Sequence, residues 1–278
     1  MKKSEIIKFE YPERLNEILD QSWKIFKSQF IHGRHEINKE APFQHHFAQI
    51  IRNVGNLYSI AEKDLFKVDL ETKCNNVKGK SKYIDISCEF VDQIKCAIEL
   101  KFKTARQGAQ DHGRIDAYID IEALEIVTNG EFDLGKFYMI TDSTPYINQS
   151  AKGVGTVFAT HNGFVSKKGK EFSFDSKGRE DVRVTLRNSY QFEWEKINDW
   201  YFLDLTVNKE NSRTYSFDEV RKTHKQAYEP WTTEADEKLE FLFCEGKTIK
   251  ELSEIFNRND GAIRSRIKKL ELKEKYSS

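Results

Sequence analysis

Apolar residues recur along this chain at two different periods, and each period predicts a different element. Between Pro12 and Phe30, the residues Leu15, Ile18, Leu19, Trp23, Phe26 and Phe30 fall three or four apart and form one apolar face, which predicts an amphipathic helix. A second helix is expected over Ala41–Leu57 and a first strand over Leu65–Glu71. Two strand-like segments follow, Lys82–Phe90 and Ile94–Phe102, separated by the polar turn Val91-Asp92-Gln93. A polar stretch from Thr104 to Gly113 then leads into a helical pattern over Arg114–Val127, and Lys136–Asp142 is an apolar run suited to a central strand. The resulting order is helix, three strands, helix, strand.

Beyond this core the pattern weakens. Tyr146 to Gly178 is rich in Gly, Ser, Lys and Asn and reads as loops joining short strands. Asp181–Arg187 and Trp200–Val207 read as further strands, which carries the main domain to about Asn211. The expected organisation is an N-terminal helical segment (1–38) packed on the core, a main domain (39–211), a charged linker (212–229) and a C-terminal unit (230–278). A partner or dimer interface is the minority reading of the N-terminal apolar stripe.

The C-terminal unit has strong punctuation. Thr232 is placed to cap a helix whose first turn is acidic, Leu239, Leu242 and Phe243 follow at helical spacing, and Gly246 suits the left-handed stop. Thr248 then caps a short helix containing Ile249, Leu252, Ile255 and Phe256. A third helix carries Ile263, Ile267 and Leu270 inward. Three short helices with tight turns predict a helix-turn-helix unit.

Composition limits what the chain can do. Forty-five basic and 45 acidic residues give a formal net charge of zero, so any surface for a polyanion must be local. Charged residues make up 32% and no apolar run approaches a membrane span, so a cytoplasmic protein with no membrane partner is expected; the start, Met1-Lys2-Lys3-Ser4-Glu5, lacks the apolar core of a signal peptide. Cys74, Cys88, Cys96 and Cys244 contain no C-x-x-C pair and read as reduced thiols, with zinc disfavoured. His45, His46 and His112 read as structural residues rather than catalytic ones.

The candidate chemistry lies in the two adjacent strands. Glu99 and Lys101 are two apart and share a face of the second, while Asp85 lies on the first, fourteen residues before Glu99. Carboxylates beside open positions for a phosphate and a water suit Mg²⁺-assisted phosphodiester hydrolysis, and a neighbouring lysine can hydrogen-bond the attacking water. A Glu-x-Lys alone is commonly a solvated edge; the aspartate one strand earlier shifts the balance toward the functional reading.

Asp85 with Glu99-Leu100-Lys101 resembles the PD-(D/E)XK nuclease superfamily, with Ile84 standing where that signature has proline. The resemblance implies an α/β (α+β) fold, a restriction-endonuclease-like mixed sheet flanked by helices, plus the small three-helix C-terminal domain. It also implies Asp85, Glu99 and Glu40 as ligands of Mg²⁺ or Mn²⁺, Lys101 as the residue that positions water, and Gln110 as a weaker phosphate contact. Nucleases of this superfamily are common in restriction and anti-phage defence. Pro230 to about Leu272, opening with Trp231-Thr232-Thr233-Glu234, resembles Myb/SANT-like helix-turn-helix domains. That resemblance implies a third helix docked on DNA, with Gly261, Arg264, Ser265, Arg266, Lys268 and Lys269 at the groove or its phosphates.

Together these readings predict a metal-dependent DNA endonuclease targeted by its C-terminal helices, with DNA and a homodimer or partner subunit as partners. The alternative is a non-catalytic DNA-binding subunit that recruits a partner within a nuclease or defence complex. An RNase is a weaker third reading.

Overall fold

The computed structural model describes residues 7–108, 110–209, 231–258, 260–270 and 272. The chain divides into two compact units, Met1–Asn211 and Ser212–Ser278. The expected linker at 212–229 lies outside the described residues.

In the first unit, α1 (Tyr11–Ile31) and α2 (Glu40–Leu57) precede three long strands, β1 (Phe66–Val77), β2 (Lys80–Phe90) and β3 (Ile94–Lys103). Helix α3 (Gln110–Thr128) then crosses over to β4 (Leu134–Thr141). Four two-residue strands, β5 (Phe164–Val165), β6 (Glu171–Phe172), β7 (Val184–Thr185) and β8 (Gln191–Phe192), lead to β9 (Trp194–Ile197) and β10 (Trp200–Asn208). The main sheet has six strands in the order β1-β2-β3-β4-β10-β9. Strands β3 and β4 run parallel, as the intervening helix requires, and the other neighbours are antiparallel. The fold class is therefore mixed α/β, a six-stranded mixed sheet between helices.

The sheet separates two apolar layers. On one face Leu15, Ile18, Trp23 and Phe26 of α1 and Phe43, Phe47 and Ile51 of α2 pack on Ile98, Leu100 and Phe102 of β3. On the other, Ile115, Tyr118, Ile121 and Leu124 of α3 pack with Ala97, Phe137 and Met139. Trp23 joins the first layer's rings, with Phe26, Phe43, Phe47, Tyr138 and Phe202 all within about 6 Å of its centroid. All eight residues of β4 are buried, as a central strand covered on both faces must be.

Two expectations change. β1 runs on to Val77, because β1 and β2 form one long hairpin closed by Lys78-Gly79, both at positive φ (52° and 76°), the geometry a two-residue hairpin loop needs. Asp181–Arg187 shrinks to the two residues of β7. Carboxylates of α3 take over its hydrogen bonds: Glu122 accepts from Thr185 N–H (2.8 Å), and Glu125 accepts from the N–H groups of Arg187 (2.6 Å) and Asn188 (2.8 Å).

The second unit holds α4 (Thr233–Cys244), α5 (Ile249–Phe256) and α6 (Asp260–Lys269) around Leu239, Leu252, Phe256, Ile263, Ile267 and Leu272. Thr232 accepts from Ala235 N–H to cap α4, and Thr248 with Glu251 forms a reciprocal capping box on α5. Asn257 at φ 48° ends α5. Trp231 packs on Phe256, with the Arg258 guanidinium 4.5 Å from its ring centroid.

Candidate active site

The sheet opens at Asp85. The β1–β2 register runs from Phe66↔Phe90 to Leu70↔Ile86 and resumes at Thr72↔Ile84, skipping Glu71 and Asp85; the β2–β3 ladder ends at Ile86↔Ile98. Glu71 takes φ 50°, an uncommon conformation for a residue with a side chain. Ile84 belongs to the α3 layer and Ile86 to the α1/α2 layer, and Cys74 and Val68 on β1 divide the same way. Residues of equal parity thus change face across this point, so the outer half of the hairpin is turned relative to the rest.

Side chains fill the gap in the ladder. The Asp85 carboxylate accepts from Leu100 N–H (2.7 Å), and Gln44 of α2 donates to the Asp85 carbonyl (2.6 Å) and to Glu71 Oε1 (2.8 Å). Glu40, Ala41, Gln44, Glu71, Asp85 and Leu100 line the resulting cavity of about 200 Å³. Glu40 is the first residue of α2; it accepts from Phe102 N–H (3.4 Å) and lies 3.3 Å from Lys103 Nζ and 3.9 Å from Lys101 Nζ.

Alternation carries Glu99 and Lys101 to the α3 face. There Asp120 meets Lys101 at 2.6 Å and Lys82 at 2.5 Å, and Lys82 meets Glu99 at 3.1 Å. Opposite charges therefore alternate from Glu99 through Lys82, Asp120, Lys101 and Glu40 to Lys103.

Burial dominates the electrostatics. It pushes the Asp85 carboxyl up to about 6, against the opposing pull of the Leu100 N–H and the Lys101 ammonium. Burial and the Asp120 charge hold Glu99, only 2% exposed, well above the ordinary glutamate range, and Asp85 adds to that shift. Asp120 moves the other way: despite the cost of its own burial, Lys101 and Lys82 keep it below the usual carboxylate range. Lys101 in turn is raised by Asp120 and Glu40 against its own desolvation, which makes it a fixed cation and hydrogen-bond donor.

The three acids expected to share one metal are thus divided. Asp85 and Glu40 face the cavity, whereas Glu99 lies against Lys82 on the α3 side, because β3 alternates strictly while β2 turns at Asp85. Among the described residues, no three His, Cys, Asp or Glu side chains form a group that could cage a metal ion. Mg²⁺ does not need one, since it commonly takes one or two carboxylates and keeps its waters. Asp85 and Glu40 suit that donor set, because Asp85 is desolvated beyond what its neighbours compensate and a cation would restore the balance.

A second cavity, about 490 Å³, adjoins Glu40 on the side of Lys39, Lys103, His112 and Arg179. Arg179 pairs with Asp116 there at 3.1 Å. Gln110 is the first residue of α3, half-buried, and is not among the residues lining either cavity.

On α6, Arg264 and Lys269 are exposed. Arg266 points inward: its Nε donates to Asp236 Oδ1 (2.7 Å), its Nη2 to Asp236 Oδ2, and its guanidinium lies 5.6 Å from the Trp231 ring centroid. That fork removes Arg266 from the expected groove-facing set. The side chains of Gly261, Ser265 and Lys268 lie outside the described part of the structure.

Lys82, Asp120, Gln44 and Glu71 belong to the site although no motif marks them. Two had a readable signal: Asp120 interrupts the apolar stripe Ala117-Ile121-Leu124 of α3, and Lys82 continues the alternation of Ile84 and Ile86. Gln44 and Glu71 become visible only once the ladder is seen to open.

Comparison with known proteins finds no matching family model, no similar curated protein and no similar solved structure. Among the described residues, no helix is long and apolar enough to cross a membrane.

Proposed function

We propose that the first unit is a metal-dependent phosphodiesterase acting on DNA, of PD-(D/E)XK type, and that the C-terminal helices bind the same polymer. The observation that carries this reading is Asp85: a carboxylate desolvated to a pKa of about 6 at an opened sheet position, sharing an accessible cavity with Glu40 beside the Lys101 cation. A stable fold has no need of such a charge, and its cost points to use.

When bound, Mg²⁺ or Mn²⁺ would polarise a phosphoryl oxygen and acidify a water. Asp85 and Glu40 would hold it, while Glu99, paired with Lys82 on the α3 side, would act from behind the site and not as a ligand. Lys101 contributes a permanent ammonium, which donates to water or phosphate oxygen and favours negative charge as it develops. Held protonated, it serves as an electrostatic group and not as the base. Arg264 and Lys269 would supply phosphate contacts from α6.

A second reading has its own observation. Glu99 and Lys101, two residues of the motif, are both tied into a charge chain with Lys82 and Asp120, which is what a non-catalytic domain that binds DNA or recruits a partner would retain. Cleavage separates the two. Purified protein incubated with plasmid, linear DNA and RNA should cut DNA with Mg²⁺ or Mn²⁺ and not with EDTA; cleavage confined to RNA would make it an RNase.

A further inference from the structure

Asp120 stands where neither motif puts a residue. It comes from the middle of α3, on the far side of the sheet from α2, and its side chain is 9% exposed. Its two carboxylate oxygens are divided between two strands: Oδ1 takes Lys82 of β2 at 2.5 Å and Oδ2 takes Lys101 of β3 at 2.6 Å. Lys82 in turn meets Glu99 at 3.1 Å. One carboxylate therefore fixes both the lysine and, at one remove, the glutamate of the candidate site, across the point where β2 and β3 part after Ile86↔Ile98. With backbone pairing lost there, side-chain ion pairs set the relative position of the two strands.

We propose that Asp120 is the positioning residue of this site, holding the Lys101 ammonium beside the cavity and, through Lys82, holding Glu99 in place. This rests on the phosphodiesterase reading for its effect on rate, but the placement of Lys101 can be read without cleavage. The Lys101 ammonium has two anionic anchors, Asp120 at 2.6 Å and Glu40 at 3.9 Å, and also donates to the Leu100 carbonyl at 3.3 Å. Removing the nearer one frees a long side chain toward the open cavity at Glu40. Lys136 provides the internal comparison: its side chain is 5% exposed against 12% for Lys101, and it pairs with Asp204 at 2.8 Å on the β4–β10 ladder, away from Asp120.

The test uses the full chain with Asp120→Asn and with the charge-balanced pair Lys82→Met/Asp120→Asn, which loses one cation with the anion. Competitive acetylation, read peptide by peptide by mass spectrometry, compares Lys101 with Lys136. Lys101 labelling should rise several-fold while Lys136 stays as in wild type, and since loss of a group that orients a site residue commonly costs about 10–100-fold in activity, cleavage should respond on that scale. In single-turnover cleavage with Mg²⁺, the rate at saturating DNA should fall by a similar factor, with the DNA concentration for half-saturation unchanged.

Lys101 labelling that does not change, or that rises in step with Lys136, overturns the proposal and makes Asp120 a packing residue. So does failure of both variants to fold while Lys101→Met folds. A labelling response in a protein whose wild type cuts no nucleic acid supports the positioning role and removes the phosphodiesterase reading instead.

Discussion

Ile84 and Ile86 are two residues apart on one strand, yet they pack into opposite layers of the sheet. Since residues of equal parity on a regular strand share a face, β2 must turn between them, and the residue at the turn is Asp85. Glu71, across from it on β1, sits at φ 50° for the same reason. The acid is thereby taken out of the ladder and presented to α2, where Glu40 and Gln44 meet it.

Such a carboxylate leaves a signature in stability. Its pKa is about 6 in the folded chain, and an unfolded aspartate titrates near 3.9, so between about pH 4 and 6 the native state binds more protons. The Asp85 contribution therefore weakens stability as pH rises through that window and is constant above it. Asp85→Asn keeps an acceptor for Leu100 N–H and should be more stable than wild type by about 2 kcal/mol at pH 7 in EDTA, with the difference vanishing near pH 4. Denaturant melts across pH measure this; a variant less stable than wild type at pH 7 would show that Asp85 is a structural anchor.

Lys101 separates binding from rate. Lys101→Met should retain Mn²⁺ binding by calorimetry, because the ammonium is no ligand, while cleavage falls by about 10²-fold or more, as when a preorganised donor is removed. Loss of Mn²⁺ affinity with the rate unchanged would assign the lysine to scaffolding.

Glu99 is expected to carry a stability cost of its own. Burial and the Asp120 charge hold its carboxyl well above the ordinary glutamate range against the pull of Lys82, so the native state gives up its proton later than the unfolded chain does. Glu99→Gln keeps the shape without the ionisable group, and its stability relative to wild type should therefore rise as pH rises above the ordinary glutamate range. A difference that does not grow with pH in denaturant melts would mean that Lys82 fully compensates the burial of Glu99.

On α6 the arginines should behave differently. Arg264→Ala/Lys269→Ala should lower the slope of log K for DNA against log salt by about two units with the fold intact. Arg266→Ala breaks a fork to Asp236 and should instead destabilise the C-terminal unit by about 1–2 kcal/mol. An unchanged salt slope in the double variant would make this a protein-docking unit.

How far the sequence could be read follows from where the periodic signal survives. β3 is legible because its apolar and charged residues alternate without interruption from Ile98 to Phe102, and α1 because its stripe is continuous. The outer half of β1 is not, since Lys73 to Lys80 has only Cys74 and Val77 to pattern it and is held by pairing with β2. Asp181–Arg187 has strand-like residues, but α3 carboxylates compete for its N–H groups. Spacing places Asp85, Glu99 and Lys101 on neighbouring strands, but the division of Asp85 and Glu99 between two faces depends on the turn at Asp85 and is not legible. The role of Arg266 is hidden for a related reason, since helical spacing places it on α6 without revealing that Asp236 takes it inward.

The most direct measurement is cleavage of supercoiled plasmid by the purified full chain in Mg²⁺, beside folded Asp85→Asn and wild type in EDTA. Nicked or linear product from wild type in Mg²⁺ alone, with Asp85→Asn bound to DNA but inactive, is the expected result. Equal cleavage by Asp85→Asn, or binding without cleavage by wild type in Mg²⁺ and Mn²⁺ alike, would contradict a metal-dependent nuclease centred on Asp85.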